Sequence, residues 1–259
     1  MKKRYIAILV AGVFFSVLFM ACKKNELTVS PYDYTDGMAL LKINYSSPYL
    51  LNPGVQVKIN GVKVSNAITY STPFPGGGLN TGGSSNADYL AVNPGIDTVS
   101  ISILKVGTNI DSILLYKTGV NVVANAYHTL HITDTAASTQ SVLLTDVANK
   151  PDSGFTKMRF VNLIPNSTAG IDLYFGTTKM ASNIAYLQAT DTFSIPSGAS
   201  GASTAWSLRV AGGTTTLGTA YTNAGTTSNQ RAFTIYARGY IGPATTDIRS
   251  PKVSFVYNK

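Results

Sequence analysis

The sequence predicts an all-β fold, built as two antiparallel β-sandwiches in tandem behind a cleavable leader. Three observations predict it. Apolar residues alternate with a period of two in many short runs, among them "TVSISIL" (Thr98–Leu104), "HTLHIT" (His128–Thr133), "WSLRV" (Trp206–Val210) and "FTIYAR" (Phe233–Arg238). These runs are rich in β-branched and aromatic residues, and Gly, Pro, Asn or Ser clusters separate them at the short spacing of sandwich strands. No stretch behind the leader has helical periodicity.

The chain opens "MKKRYIAILVAGVFFSVLFMAC". Its basic start (Lys2, Lys3, Arg4), uncharged run from Ile6 to Met20 and small Ala21 are the layout of a signal peptide over residues 1–21. The apolar run falls short of the roughly 20 residues that a spanning helix needs. The stretch "LFMAC" resembles the lipobox of bacterial lipoproteins, with Phe19 in place of the usual Leu, and this resemblance implies a lipid on Cys22, the only cysteine. Two or more acyl chains would hold such a protein at a membrane, because each buried methylene contributes about 0.8 kcal/mol. Residues 22–37, polar and carrying Pro31 and Gly37, read as a tether.

Behind the tether the chain is long enough for two cores. Residues 38–148 read as the first sandwich, 149–155 ("NKPDSGF") as a linker and 156–259 as the second. In the first, "VQVKINGVKV" (Val55–Val64) is a hairpin: Asn60-Gly61 supplies the positive φ angles of a type I′ turn. The two segments also repeat one another. "LKINYSSP" (Leu41–Pro48) lies on "MRFVNLIP" (Met158–Pro165), "VQVKING" (Val55–Gly61) on "IDLYFG" (Ile171–Gly176), "LAVNPG" (Leu90–Gly95) on "FSIPSG" (Phe193–Gly198), and "YHTLHI" (Tyr127–Ile132) on "AFTIYA" (Ala232–Ala237). Four matches in one order, with strand parity kept, point to a tandem duplication.

"RFVNLIPNSTAGIDLYFGTTKM" (Arg159–Met180) resembles the opening of the secreted bacterial domains known as domain of unknown function 4397. The likeness extends over the second half and more loosely over the first, where Gln56 stands in the place of Asp172. It implies an immunoglobulin-like sandwich in a lipid-anchored outer-membrane protein of the Bacteroidota type, and brings no functional residues with it. The residues behind the anchor, Lys23-Lys24-Asn25-Glu26, leave the periplasmic and the outer face both open.

Composition argues against catalysis. The single glutamate, Glu26, sits in the tether, and the 11 aspartates are dispersed, so no paired-carboxylate arrangement is visible. His128 and His131, the only histidines, are three apart on a strand and point to opposite faces, so they do not chelate one metal together. His128 shares its face with Leu130 and Ile132 and reads as a hydrogen-bonded inner residue. "PFPGGGLNTGGSSN" (Pro73–Asn86) and "SGASGAS" (Ser197–Ser203) match neither a phosphate loop nor a nucleophile elbow and read as loops, the longer one as a floppy connection or a binding loop. No cofactor or metal is expected.

Binding is the reading left. With the leader removed the chain holds 17 basic and 12 acidic residues, and residues 153–259 alone hold 9 basic against 3 acidic. Trp206 falls on the core face of its strand. On the strand at 232–240, Phe233, Ile235 and Ala237 share one face, which leaves Tyr236, Arg238 and Tyr240 as a solvent-facing row suited to a sugar or a protein partner. "DTV", "DSI" and "DTA" resemble an O-glycosylation signal of exported proteins and mark Thr98, Ser112 and Thr135. These observations favour a non-enzymatic, lipid-anchored envelope protein that meets a polysaccharide or another envelope protein, with no nucleic-acid partner. A structural spacer with no ligand is the alternative, and a glycan- or wall-active enzyme the third reading.

Overall fold

Each alternating run quoted above forms a strand in the computed structural model, which describes residues 35–105, 111–199 and 204–259. The leader, Cys22 and nearly all of the tether lie outside the described residues. In chain order the first ten strands are β1 (Ala39–Ser46), β2 (Val55–Ile59), β3 (Val62–Lys63), β4 (Thr72–Phe74), β5 (Gly78–Leu79), β6 (Leu90–Val92), β7 (Gly95–Leu104), β8 (Asp111–Val122), β9 (Tyr127–Thr133) and β10 (Gln140–Thr145). Eight more follow: β11 (Phe155–Asn162), β12 (Ile171–Phe175), β13 (Thr178–Ile184), β14 (Phe193–Pro196), β15 (Trp206–Val210), β16 (Thr216–Tyr221), β17 (Ala232–Arg238) and β18 (Lys252–Tyr257). The fold is all-β, and among the described residues no helix is long and apolar enough to cross a membrane.

The strands pair in one pattern that occurs twice. In the first half β3-β2-β7-β8 form one sheet, and β10-β9-β1-β4 form a second in which β6 also pairs with β1. In the second half β13-β12-β15-β16 and β18-β17-β11-β14 repeat these orders as the two limbs of a continuous sheet, joined where β16 runs parallel to β18 at Thr219 and Lys252. Register repeats as well. Leu41 lies opposite His128 in the parallel pair β1–β9, and Met158 opposite Phe233 in the parallel pair β11–β17. Leu41 also faces Leu90, as Met158 faces Phe193. Those are the residue pairs that the alignment of the halves equates. The β2–β3 hairpin turns through Asn60 (φ 51°) and Gly61 (φ 81°), the positive angles its sequence calls for.

Each half closes on its own apolar core. Leu41, Ile43, Val55, Val57, Val99, Ile101, Leu130 and Ile132 fill the first. The second holds Met158, Phe160, Leu173, Leu208, Phe233, Ile235 and Phe255 around Trp206, which is fully buried and donates through Nε1 to Thr226 Oγ1 at 3.1 Å. A third cluster joins them: Val161, Leu163, Tyr236 and Val256 of the second half pack against Val142 and Leu144 of β10. Gly37–Lys259 are therefore one unit of four β-layers, whose two middle layers have both faces covered. The linker is part of this body, since Pro151 is buried and Asn229 Oδ1 accepts the Gly154 amide at 2.7 Å.

The glycine-rich stretch 73–86 is neither a floppy connection nor a free binding loop. It crosses the seam as a strap, and β5 adds to the edge of β18, with Gly78 opposite Val256 and Leu79 opposite Phe255. Tyr257 donates its amide to Gly77 O at 3.0 Å, and Asn80 Nδ2 donates to Val253 O at 2.7 Å. Glycine is required for this approach. A Cβ on Gly78 would lie 2.5 Å from Phe255 O, and one on Gly77, at φ 95°, would collide with the carbonyl of Asn86.

Candidate functional site

The structure overturns the solvent-facing row at 236–240. Tyr236 is fully buried and Arg238 is 4% exposed, because the face of β17 that looks away from its own core meets the sheet of β9 and β1 rather than water. The Tyr236 ring lies 5.9 Å from the His131 ring across the seam, tilted by 55°. Arg238 is consumed by structure: Nε donates to Ser254 Oγ at 2.7 Å, Nη2 to Asn80 O at 3.1 Å, and the guanidinium lies 4.7 Å from the centre of the Tyr70 ring. Tyr240 is half-buried and donates to Asp134 Oδ1 at 2.5 Å. Burial and that carboxylate push its phenol up to about 12.

Period two brings polar side chains to the seam in alternation with core residues. Lys42, Asn44, Thr129, His131 and Thr133 project from the first half, and Thr234, Arg238 and Ser254 from the second; all are buried. Such groups stay in a dry layer only when they are hydrogen-bonded. Asn44 Nδ2 pairs with His131 Nδ1 at 2.8 Å, Thr133 Oγ1 donates to Leu163 O at 2.7 Å, and Asp146 Oδ2 accepts from Thr129 (2.5 Å) and Tyr89 (2.9 Å). Burial lowers the Lys42 ammonium, against the pull of Asp146 and Asp88, and raises the Asp146 carboxyl, against its hydrogen bonds and the nearby cations. The same desolvation, with Lys42 and Arg159 near, takes His131 down to about 3, so the imidazole is neutral. These are groups that hold two layers together.

Where the seam opens at the linker end, the surface changes character. A cleft of about 480 Å³ is lined by Ala87 and Tyr127 of the first half, Lys150 of the linker, and Asn229, Gln230, Arg231, Asn258 and Lys259 of the second. A smaller one of about 270 Å³ shares Lys150 and adds Asn149, Pro151, Asp152, Phe155, Lys157 and Ser194. Lys150 lines both, so the two are neighbours. Volumes of this order suit a ligand, but the walls are amides and cations rather than the apolar surface of a typical small-molecule pocket. Sequence reasoning missed this site. Its cations are scattered over more than a hundred residues, and the one local hint was the polar run Asn229-Gln230-Arg231 ahead of β17.

The remaining sequence candidates separate by position. Thr98 is half-exposed and lines an open groove with Lys58, Ser100 and Lys117. Thr135 is half-buried, and its hydroxyl hydrogen-bonds the Tyr240 phenol at 3.1 Å. The side chain of Ser112 lies outside the described residues, as Cys22 does. His128 is buried on the core face of β9, and its Nε2 accepts the Val123 amide at 3.1 Å. Asp172, the counterpart of Gln56, is a structural carboxylate. Burial would raise it, yet Lys179 Nζ at 2.6 Å and the Asn183 and Gly212 amides outweigh burial and keep it below the usual range. Among the described residues no three His, Cys, Asp or Glu side chains stand together as metal ligands would.

Fold and cleft together define a four-layered all-β protein in which one strand arrangement occurs twice and a basic groove opens at the seam. Residues 43–169 match the family model described as "Domain of unknown function (DUF4397)". The match runs from β1 through β11, so it lies mainly in the first half, where the residue-level likeness is the looser one. A solved structure from Bacteroides uniformis, described as a "putative cell adhesion protein", is similar over 86% of this chain and 98% of its own, at 10% identity and a TM-score of 0.22. No curated protein matches the chain.

Proposed function

We propose that this protein is a non-enzymatic component of the cell envelope, anchored in the outer membrane by lipid on Cys22, and that its four-layered body binds a polymer or protein partner. The observation that carries the binding reading is the cleft at the seam, to which both halves and the linker contribute. Rigid packing of the halves fixes the spacing of these groups before a partner arrives, which lowers the ordering cost of binding. The spacer reading is the weaker one. A spacer needs no such clustering of cations, and Lys150, Lys157, Arg231 and Lys259 line two neighbouring clefts here. Support for the anchor comes from the sequence, where a basic start, a short apolar run and Ala21 precede the single cysteine. Thr98, half-exposed beside an open groove, is the more accessible of the two described glycosylation candidates.

Fractionation of cells expressing the wild-type chain and Cys22→Ala tests the anchor. The wild type should sediment with outer membranes and the variant should appear in the soluble fraction; a variant that stays with membranes refutes lipid anchoring. Protease treatment of intact and lysed cells then assigns the body to the outer or the periplasmic face.

A further inference from the structure

We infer that the two neighbouring clefts that share Lys150 at the linker end of the seam are a binding site for a linear anionic polysaccharide, one carrying carboxylate or sulfate groups along its length. This deepens the binding reading above and rests on it.

Charge is the first ground. Lys150, Arg231 and Lys259 line the larger cleft without any aspartate or glutamate, and the smaller adds Lys157 against a single Asp152. Lys150, Arg231 and Lys259 are exposed at their tips. Among the described residues none of these four cations is ion-paired, whereas Lys179 and Arg249 each hold an aspartate. Unpaired cations gathered in a concave, partly desolvated surface focus a positive potential there.

Shape decides between a compact anion and a chain. The cations are not gathered at one point; they are spread over two neighbouring clefts that share Lys150, about 480 and 270 Å³ in volume. A single phosphate or sulfate would leave most of this length empty. The lining between the cations is the chemistry that reads hydroxyl groups: Asn149, Asn229, Gln230 and Asn258 carry amides that both donate and accept. Asn258 is 1% exposed, its Nδ2 donates to Thr234 Oγ1 at 2.8 Å, and its Oδ1 has no protein partner. Tyr127 in the larger cleft and the 43%-exposed Phe155 in the smaller offer ring surface of the kind sugar rings pack on.

The walls are also held in place. Gln230 sits at φ 58°, a conformation that non-glycine residues adopt only under constraint, and its amide donates to Phe155 O at 2.8 Å. Asn229 Oδ1 takes the Gly154 amide, and Gln230 Nε2 donates to Pro151 O at 3.4 Å, so the turn before β17 is tied to the linker that carries Lys150. One half alone does not form this site.

The test uses the full chain in detergent at 0.15 M salt, with polygalacturonate and dextran sulfate as probes and uncharged dextran as the blank. The wild type should bind at least one polyanion and not dextran, and binding should weaken as salt rises. Lys150→Ala/Arg231→Ala should lose at least tenfold in affinity with an unchanged melting temperature. Lys105→Ala/Lys117→Ala, which removes the same charge elsewhere, should bind like the wild type. Equal loss in both double variants overturns the site, since the attraction is then that of net charge alone. Failure to bind either polyanion overturns it too, as does binding only to vesicles containing phosphatidylglycerol, which would make the cleft a headgroup site. Binding to an uncharged envelope polysaccharide that the cleft variant leaves intact would refute the cleft while keeping the wider binding reading.

Discussion

Lys42 donates through Nζ to the main-chain carbonyl of Tyr257 at 2.5 Å, which joins the first strand of the body to its last across 215 residues of chain. The ammonium also lies 4.3 Å from the centre of the Tyr89 ring. A buried lysine is costly unless its donors are used, and here a carbonyl and an aromatic face of opposite halves use them. The halves are thus bound by polar contacts as well as by the apolar cluster at Tyr236.

Because the halves share the cluster of Val161, Leu163, Tyr236 and Val256, they should unfold together. Urea denaturation followed by tryptophan fluorescence, which reports Trp206 in the second core, and by far-ultraviolet circular dichroism, which reports both halves, should give coincident transitions. Tyr236→Ala should cost about 3–5 kcal/mol, as truncation of a large buried aromatic does. Separate transitions in the wild type would contradict the shared seam.

The strap makes a second expectation. At Gly77, φ is 95° and the Cβ direction is occupied by the Asn86 carbonyl, so Gly77→Ala should destabilise by more than about 1 kcal/mol. Calorimetry should show the melting temperature reduced by at least about 2–4 °C. Gly61→Ala, at φ 81° but with open space around it, should cost less.

Arg238 makes a third. Its Nε serves β18 and its Nη2 the strap, while the guanidinium lies over the Tyr70 ring, a geometry that an ammonium does not reproduce. Arg238→Lys should therefore lose about 1–3 kcal/mol, the scale of leaving a buried acceptor unsatisfied. Stability within error of the wild type would show that the fork is dispensable.

Two buried groups give opposed pH dependences. His131 has a folded value near 3 against 6.5 when unfolded, so as pH falls below 6.5 the unfolded chain takes up the proton first and stability is lost down to about pH 3. Asp146 is raised from 3.8 to about 6, so as pH falls from about 6 to 3.8 the folded chain takes up the proton first and stability is gained. The two should largely cancel between pH 4 and 6 in the wild type, at about 1.4 kcal/mol per pH unit each. Denaturant titrations at several pH values should show His131→Asn gaining stability on acidification through this window and Asp146→Asn losing it. Parallel profiles for the two variants would refute the assignment.

Strand parity, the Asn60-Gly61 turn, the inward face of Trp206 and the correspondence of segments between the two halves were legible in the sequence. Each follows from local rules: a pleated strand sends successive side chains to opposite faces, and a two-residue hairpin needs positive φ. The segment alignments equated Leu41 with Met158 and His128 with Phe233, and these copies take matching places in the parallel pairs β1–β9 and β11–β17. Periodicity does not say what covers the second face, however. Tyr236 and Arg238 alternate with core residues as solvent-facing residues would, and they are buried because another sheet lies over them. The same reason hid the use of the glycine-rich strap, whose partner, β18, is more than 170 residues away, and hid the cleft, whose cations only packing brings together. By itself the sequence determined the all-β class, the strands with clear alternation and the inward residues of the two cores. Tertiary structure alone decided which polar residues meet water, because burial of a strand's outer face depends on a distant surface that no local spacing encodes.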